Sequence, residues 1–134
     1  MRDSTTLSQF KCNLKSQKKN ANILFFYGQR WPGVQHGRLR IGCSKLNYDV
    51  CFNLHIPNID PMCLCGGGFE DAQHYFMSCV YFDDLRLHLR ESIELICIFE
   101  LNTLLYGSTN LSDAENMLVF DAVHKFIMDS RCFE

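Results

Sequence analysis

The feature that most constrains this chain is a set of three cysteines and one histidine. Cys63, Cys65, His74 and Cys79 are separated by one, eight and four intervening residues. Thiolate sulfur and imidazole nitrogen are preferred zinc ligands, and four of them in a tetrahedron form a closed, structural site. The glycines at 66–68 allow the backbone to turn back closely after Cys65, and a helix carrying His74 must end or bend near Cys79. The spacing predicts a CCHC zinc knuckle; the alternative interpretation is three buried thiols and a surface histidine.

The composition is that of a chain that packs a core. With 134 residues, 47% of them hydrophobic and 21% charged, it amounts to about one globular domain. No apolar run approaches the roughly 18–20 residues of a membrane span, and the first residues contain no secretory signal. We therefore expect an intracellular protein, nuclear or cytoplasmic, with no membrane contact and with reduced cysteines. The cysteines outside the set have apolar neighbours and are predicted to be buried: Cys12, Cys43, Cys51, Cys97 and Cys132.

The charges are distributed unevenly along the chain. Residues 1–46 carry nine basic side chains and one acidic one, whereas residues 47–134 carry four basic and fourteen acidic ones. Two interpretations stay open: a nucleic-acid contact made by the basic half, or attraction between the two halves. The first interpretation predicts a positive surface in which basic groups contact phosphates and an aromatic ring stacks on bases. Its candidate residues are Lys11, Lys15, Lys18, Lys19, Arg30, Trp31, Arg38 and Arg40.

Apolar periodicity predicts a mainly α-helical fold, a small multi-helix domain with the knuckle inserted between helices. We expect helices over residues 5–15, 45–55, 70–78 and 81–99, another opened by Trp31-Pro32-Gly33 with the proline near its start, and a last one opened by the capping box Ser112–Glu115. The chain then divides into a basic N-terminal helix and linker (1–22), a basic helical segment (23–60), the knuckle (61–80) and C-terminal helices (81–134). We expect the C-terminal helices to pack on the rest as one compact unit.

A tetrapeptide after the last ligand invites a catalytic interpretation. Tyr81-Phe82-Asp83-Asp84 reads like the Y-x-D-D motif that holds magnesium in reverse transcriptases, but that site also needs a distant aspartate on a neighbouring strand. Here the motif opens the most helical segment, and acidic residues in a first helical turn are favoured by the helix dipole. No phosphate-binding glycine loop is present. We therefore expect no enzyme activity and no small-molecule substrate.

Residues 26–79 resemble the C-terminal region of reverse transcriptases from non-LTR retrotransposons of the LINE type, in particular jockey-like elements. In that family a segment like Arg38-Leu39-Arg40-Ile41-Gly42, followed by Leu46-Asn47, precedes a zinc knuckle. The knuckle residues that match are Cys63, Cys65, Gly66, Glu70, Asp71, His74 and Cys79. The tail is also similar, in Leu105-Tyr106-Gly107 and in residues 120–127.

The resemblance covers nearly the whole chain and has two departures. Val80 stands where family members often have proline after the last ligand, and three consecutive glycines predict a looser knuckle. The resemblance implies Zn²⁺ as cofactor, RNA or DNA as partner, and the rest of a reverse transcriptase polypeptide, whose polymerase and endonuclease parts this chain lacks. We expect a non-catalytic, zinc-binding accessory segment that binds nucleic acid; the alternative is a zinc-stabilised packing or protein-interaction module that binds none.

Overall fold

The computed structural model describes residue 25 and residues 27–134, and this part of the chain is mainly helical, as predicted. A π-helical turn spans Asp49–Asn53 and a 3-10 turn spans Val80–Phe82. The α-helices in the described residues are α1 (Arg30–Ile41), α2 (Ala72–Met77), α3 (Asp83–Ile93), α4 (Leu101–Tyr106) and α5 (Asp113–Ser130). The predicted helix over residues 5–15, the basic segment 1–22 and Cys12 lie outside the described residues.

The core is built around α5, which packs against α3 and α1. The capping box predicted at its start is confirmed: Ser112 Oγ accepts the amide of Glu115 at 3.1 Å, and Glu115 Oε1 accepts the amide of Ser112 at 2.9 Å. These two bonds satisfy amides that have no partner within the helix and fix where α5 begins. Its buried side chains are Asn116, Val119, Phe120, Val123, His124, Phe126 and Ile127.

Helix α1 begins at Arg30, close to the start that Pro32 predicted, and ends at Ile41, with Gly42 as its C-cap. Pro32 lies in the first turn, where its missing amide costs no helical bond. Gly42 adopts a φ of +74°, and the amides of Gly42 and Cys43 donate to the carbonyls of Leu39 and Arg38. This glycine-terminated helix end turns the chain toward the π-helical turn and the cysteine loop.

The elements on either side of the cysteine loop differ from the sequence expectation. Residues 45–55 form a π-helical turn over Asp49–Asn53 instead of an α-helix. Within the segment 81–99, the α-helix spans only Asp83–Ile93. Residues 94–97 leave the helix, but they return Ile96 to the core at a spacing that also occurs in helices, which is why the sequence pattern predicted a longer helix.

In residue 25 and residues 27–134, no helix is both long enough and apolar enough to cross a membrane.

Candidate metal centre

The loop before α2 brings Cys63 and Cys65 to one side of a tight turn. An antiparallel bridge pairs Met62 with Phe69, and inside it the amide of Cys63 donates to the Gly68 carbonyl at 2.8 Å. The amide of Gly66 donates to the Cys63 carbonyl at 3.0 Å and closes the turn. The loop is thus held by its own backbone bonds, and these do not depend on any core side chain.

At two positions of the loop, the structure gives a specific physical reason for glycine. Gly66 has a φ of +79°, a left-handed conformation that strains any residue with a side chain. Gly67 lies against the ligand cluster, where a Cβ atom would stand 3.3 Å from His74 Cε1 and 3.4 Å from Cys65 Sγ. A side chain at position 67 would crowd these two ligands, so glycine lets the backbone pass close to them without displacing them.

Helix α2 supplies the second half of the cluster. Asp71 caps the helix by accepting the His74 amide at 2.8 Å, which fixes the turn that carries the histidine. The helix ends at Met77, and the amide of Cys79 donates to the His74 carbonyl at 2.8 Å. The predicted end of the helix between His74 and Cys79 is confirmed, and it lets both side chains face the same point.

The four ligand atoms converge. They all lie within 4.8 Å of one another, with Cys63 Sγ 3.7 Å from Cys79 Sγ and Cys65 Sγ 3.1 Å from His74 Nε2. Two thiolates bound to one tetrahedral zinc lie about 3.8 Å apart, and a thiolate and an imidazole nitrogen about 3.6 Å. Cys63, His74 and Cys79 are buried, and Cys65 is partly exposed. This Cys₃His cluster can hold a metal ion.

The thiols of the cluster are in unequal environments. Burial raises the pKa of Cys63 to about 12 and also raises the pKa of Cys79. The pKa of Cys65 is lowered to about 7, chiefly because the Gly67 amide donates to its sulfur at 3.3 Å. A bound cation would supply the charge that buried thiolates need, and its binding would release protons.

A second layer of hydrogen bonds ties the loop to the segment before the π-helical turn. Glu70 Oε1 accepts the Asn47 amide at 2.8 Å, and the Glu70 carbonyl accepts the Tyr48 amide at 3.0 Å. Asn47 Nδ2 donates to the Met62 carbonyl at 3.2 Å, next to the first cysteine. Asn47 and Glu70 belong to the motif residues that carry the resemblance, and sequence analysis assigned no role to either beyond that match.

The predicted nucleic-acid residues are divided by the structure. Lys11, Lys15, Lys18 and Lys19 lie outside the described residues. Arg30, Trp31 and Arg38 are exposed on one side of α1, together with Val34.

Arg40 has to be corrected, because it is buried. Its Nε donates to the Leu105 carbonyl, and its guanidinium lies over the rings of Phe25 and Phe120. At position 40 the helical period turns the side chain toward α4 and α5, so Arg40 is not part of the exposed surface.

Asp83 and Asp84 open α3, and both are exposed. Their placement in a first helical turn is as predicted. Asp83 also accepts a hydrogen bond from Arg86 at 2.7 Å, a contact that the sequence did not reveal.

A buried cluster that could not be identified from the sequence contains His36, Arg40 and His124, and it is called here the His–Arg cluster. His36 Nε2 lies 2.8 Å from the Leu104 carbonyl and must donate to it, so the neutral ring accepts at Nδ1. That Nδ1 faces Arg40 Nη2 and His124 Nε2, each at 3.1 Å. Helical spacing places His36 and Arg40 on one face of α1, but His124 lies 88 residues away and no local pattern connects it.

The donor set of the metal centre determines its chemistry. Three thiolates and one imidazole suit zinc and other soft or borderline ions better than magnesium or calcium, which prefer oxygen. Four protein ligands leave no open position for a reacting water, so the arrangement suits a structural ion.

Comparison of this chain with protein-family models, with curated proteins and with solved structures finds no match.

Proposed function

We propose that Cys63, Cys65, His74 and Cys79 bind one zinc ion that orders the loop between the π-helical turn and α2. The observation that carries the proposal is the convergence of four ligand atoms within 4.8 Å. The ion contributes folding free energy, because coordination ties the loop cysteines to His74 and Cys79 and adds to the backbone bonds that close the loop. The role is structural, since the protein fills all four positions.

We further propose that the domain is a non-catalytic accessory module that binds RNA or DNA through the exposed side of α1. Arg30 and Arg38 can contact phosphates and Trp31 can stack on a base. Gly37 lies at the edge of this side of the helix, and a Cβ atom there would meet nothing within 4 Å, so a strand can approach the helix backbone closely at that edge. The resemblance to the C-terminal region of retrotransposon reverse transcriptases supports this assignment and suggests that the module works beside a polymerase.

Metal analysis tests the first proposal. Protein purified under reducing conditions should contain about one zinc per chain, and Cys63→Ser should lose it. Cys51→Ser is the matched control, because Cys51 is a half-buried free thiol outside the cluster. A metal-free wild-type protein, or a Cys63→Ser variant that keeps its zinc, would contradict the proposal.

Salt-dependent binding tests the second proposal. Fluorescence anisotropy with single-stranded RNA and single-stranded DNA should give an affinity that falls with salt, with a log–log slope of about −0.7 per phosphate contact. The Arg30→Gln, Arg38→Gln double variant should flatten that slope by about 1.4. Arg90→Gln on α3 is the control, because it removes an exposed charge whose guanidinium lies over Phe99 on another part of the surface. Equal slopes in all proteins would refute a contact through α1.

A second candidate function is a zinc-stabilised protein-interaction module without nucleic-acid binding. The observation that favours it is the exposure of apolar side chains after α3: Leu95 is 97% exposed and Ile98 is 78% exposed. Contiguous exposed apolar surface is typical of a contact with another protein. This candidate predicts no nucleic-acid binding even at low salt, so the same titration separates the two functions.

A further inference from the structure

Arg86 is a buried cation that reaches from α3 to the end of α2. Its Nε donates to the Phe76 carbonyl at 2.8 Å, and its Nη2 donates to the Cys79 carbonyl at 2.7 Å. Its Nη1 pairs with Asp83 Oδ1 at 2.7 Å. Phe76 lies in the last turn of α2, where carbonyls have no partner within the helix, and Cys79 lies two residues beyond the helix end.

We propose that Arg86 is a positioning residue of the metal centre, holding the main chain of Cys79 and the end of α2 so that Cys79 and His74 meet the two loop cysteines. This inference rests on the proposed metal binding and adds to it a residue that is not itself a ligand. Two ligands come from the segment that Arg86 holds: His74 within α2, and Cys79 two residues after its last residue, Met77.

The argument follows from how Cys79 is placed. Its Sγ must stand 3.7 Å from Cys63 Sγ, yet Cys79 lies beyond the last residue of α2 and has left the helical bonding pattern. Its amide donates to the His74 carbonyl at 2.8 Å, and its carbonyl accepts from Arg86 Nη2 at 2.7 Å and more weakly from the Phe82 amide at 3.2 Å. These bonds hold the main chain at Cys79 and with it the direction of the Cα–Cβ bond, so only a rotation about that bond is left to bring Sγ to the metal.

Electrostatics add to the geometry. A zinc ion with three thiolates carries a net negative charge, which is unfavourable in a buried site without a nearby positive group. The guanidinium of Arg86 donates to the carbonyl of Cys79, one of those cysteines, and both residues are buried. Outer-shell residues of this kind typically change metal affinity by 10–100-fold when they are removed.

The experiment measures Co²⁺ and Zn²⁺ dissociation constants of the full chain by chelator competition, together with the cobalt absorption spectrum. In Arg86→Met we expect the dissociation constant to rise 10–100-fold and the thiolate-to-cobalt bands to change, because Cys79 loses its orientation. Arg86→Lys should recover part of the affinity, since a lysine can donate to one of the two carbonyls. Asp83→Asn should stay within about twofold of wild type, because both carbonyl bonds remain.

A general loss of stability is separated by Val123→Ala, a buried change on α5. That variant lowers the melting temperature but should keep the wild-type cobalt spectrum. An Arg86→Met protein with wild-type affinity and spectrum, or one whose changes match those of Val123→Ala, would overturn the inference. If Arg86→Met does not fold, Arg86→Lys carries the test: a wild-type dissociation constant and spectrum in that variant also overturn it. A wild-type protein that binds neither ion would instead refute the proposed function.

Discussion

The metal centre and the His–Arg cluster both bury polar side chains, but the first gathers thiols, which ionise to anions, and the second contains a cation. In each, a buried arginine donates to a carbonyl near the end of a short helix, Arg86 to Phe76 and Arg40 to Leu105. Arg86 has a carboxylate partner in Asp83. Within residue 25 and residues 27–134, no carboxylate lies at ion-pair distance from Arg40.

The difference lies in what each region needs in order to be stable. The metal centre gathers thiols that gain from a bound cation. The His–Arg cluster already contains a cation, and burial together with Arg40 holds the pKa of His36 well below its usual value and lowers the pKa of His124. On the proposed function, one region is stabilised by binding an ion, whereas the other is stable while its two histidines stay neutral.

Removal of the metal should give the largest effect and should divide the molecule along this comparison. At free zinc 1,000-fold above its dissociation constant, binding stabilises the folded state by about 4 kcal/mol. We expect a chelator to lower the melting temperature by about 10–20 °C. Hydrogen exchange should show that amides of residues 63–79 lose protection before those of 120–127. Equal loss in both segments would show that the two regions do not unfold separately.

Alanine at a glycine in each region should separate stability from metal affinity. Gly28 has a φ of +92°, and a Cβ there would stand 2.8 Å from His124 Nδ1, so Gly28→Ala should cost about 1–3 kcal/mol. Its metal affinity should not change. Gly67→Ala should show the reverse, a weaker metal complex with little change in the metal-free protein, because its Cβ meets His74 and Cys65. Denaturant unfolding and chelator competition on both variants check this, and an identical pattern in the two would contradict it.

The pH dependence of stability should come partly from the His–Arg cluster. Because the folded pKa of His124 lies below its unfolded value of about 6.5, the unfolded chain binds more protons below that pH. Stability is then complete above about pH 6.5 and falls as the pH drops toward the folded pKa. Each such proton contributes a slope of up to about 1.4 kcal/mol per pH unit.

His124→Gln isolates this contribution, because the metal ligands titrate alike in both proteins. Between pH 6.5 and 5.5, at saturating zinc, the free energy of unfolding should fall less steeply in the variant than in wild type. The groups that face His124 are His36 and Arg40 on α1 and Asp121 on its own helix. Parallel pH profiles for the two proteins would mean that His124 does not titrate in this range.

The comparison also explains what could be predicted from the sequence. The metal centre was visible because its ligands lie within one short segment, and the hydrogen-bonded end of α2 follows from their spacing. The His–Arg cluster was not visible, because His36 and His124 meet only after α1 has packed on α5. Arg40 was assigned to the surface for the same reason: its charge favoured solvent, and only the fold supplies the Leu105 carbonyl and the two rings.

Secondary structure was predictable where a local chemical signal marks the start of a helix, as at Pro32 and Ser112. It was less predictable where only apolar spacing was available. Ile96 and Phe99 continue the period of α3 but reach the core from turns, so the helix ends at Ile93. The nucleic-acid surface on α1 stays a prediction.

The smallest expected effect concerns Asp83 and Asp84. Arg86 has a carboxylate partner, Asp83, whereas in the described part of the chain Arg40 has none. The Asp83 side chain is 64% exposed, so solvent screens its interaction with Arg86. The Asp83→Asn, Asp84→Asn double variant should lower the free energy of unfolding by a few tenths to about 1 kcal/mol, through the first turn of α3. Zinc content and nucleic-acid affinity should not change, because Arg86 keeps both carbonyl bonds and α1 is untouched. Denaturant unfolding, metal analysis and anisotropy on the same preparation check the three expectations. A large loss of zinc would mean that Arg86 cannot keep Cys79 in place through its two carbonyl bonds alone and also needs Asp83. Arg86 would then differ from Arg40, which donates to a carbonyl without a carboxylate partner.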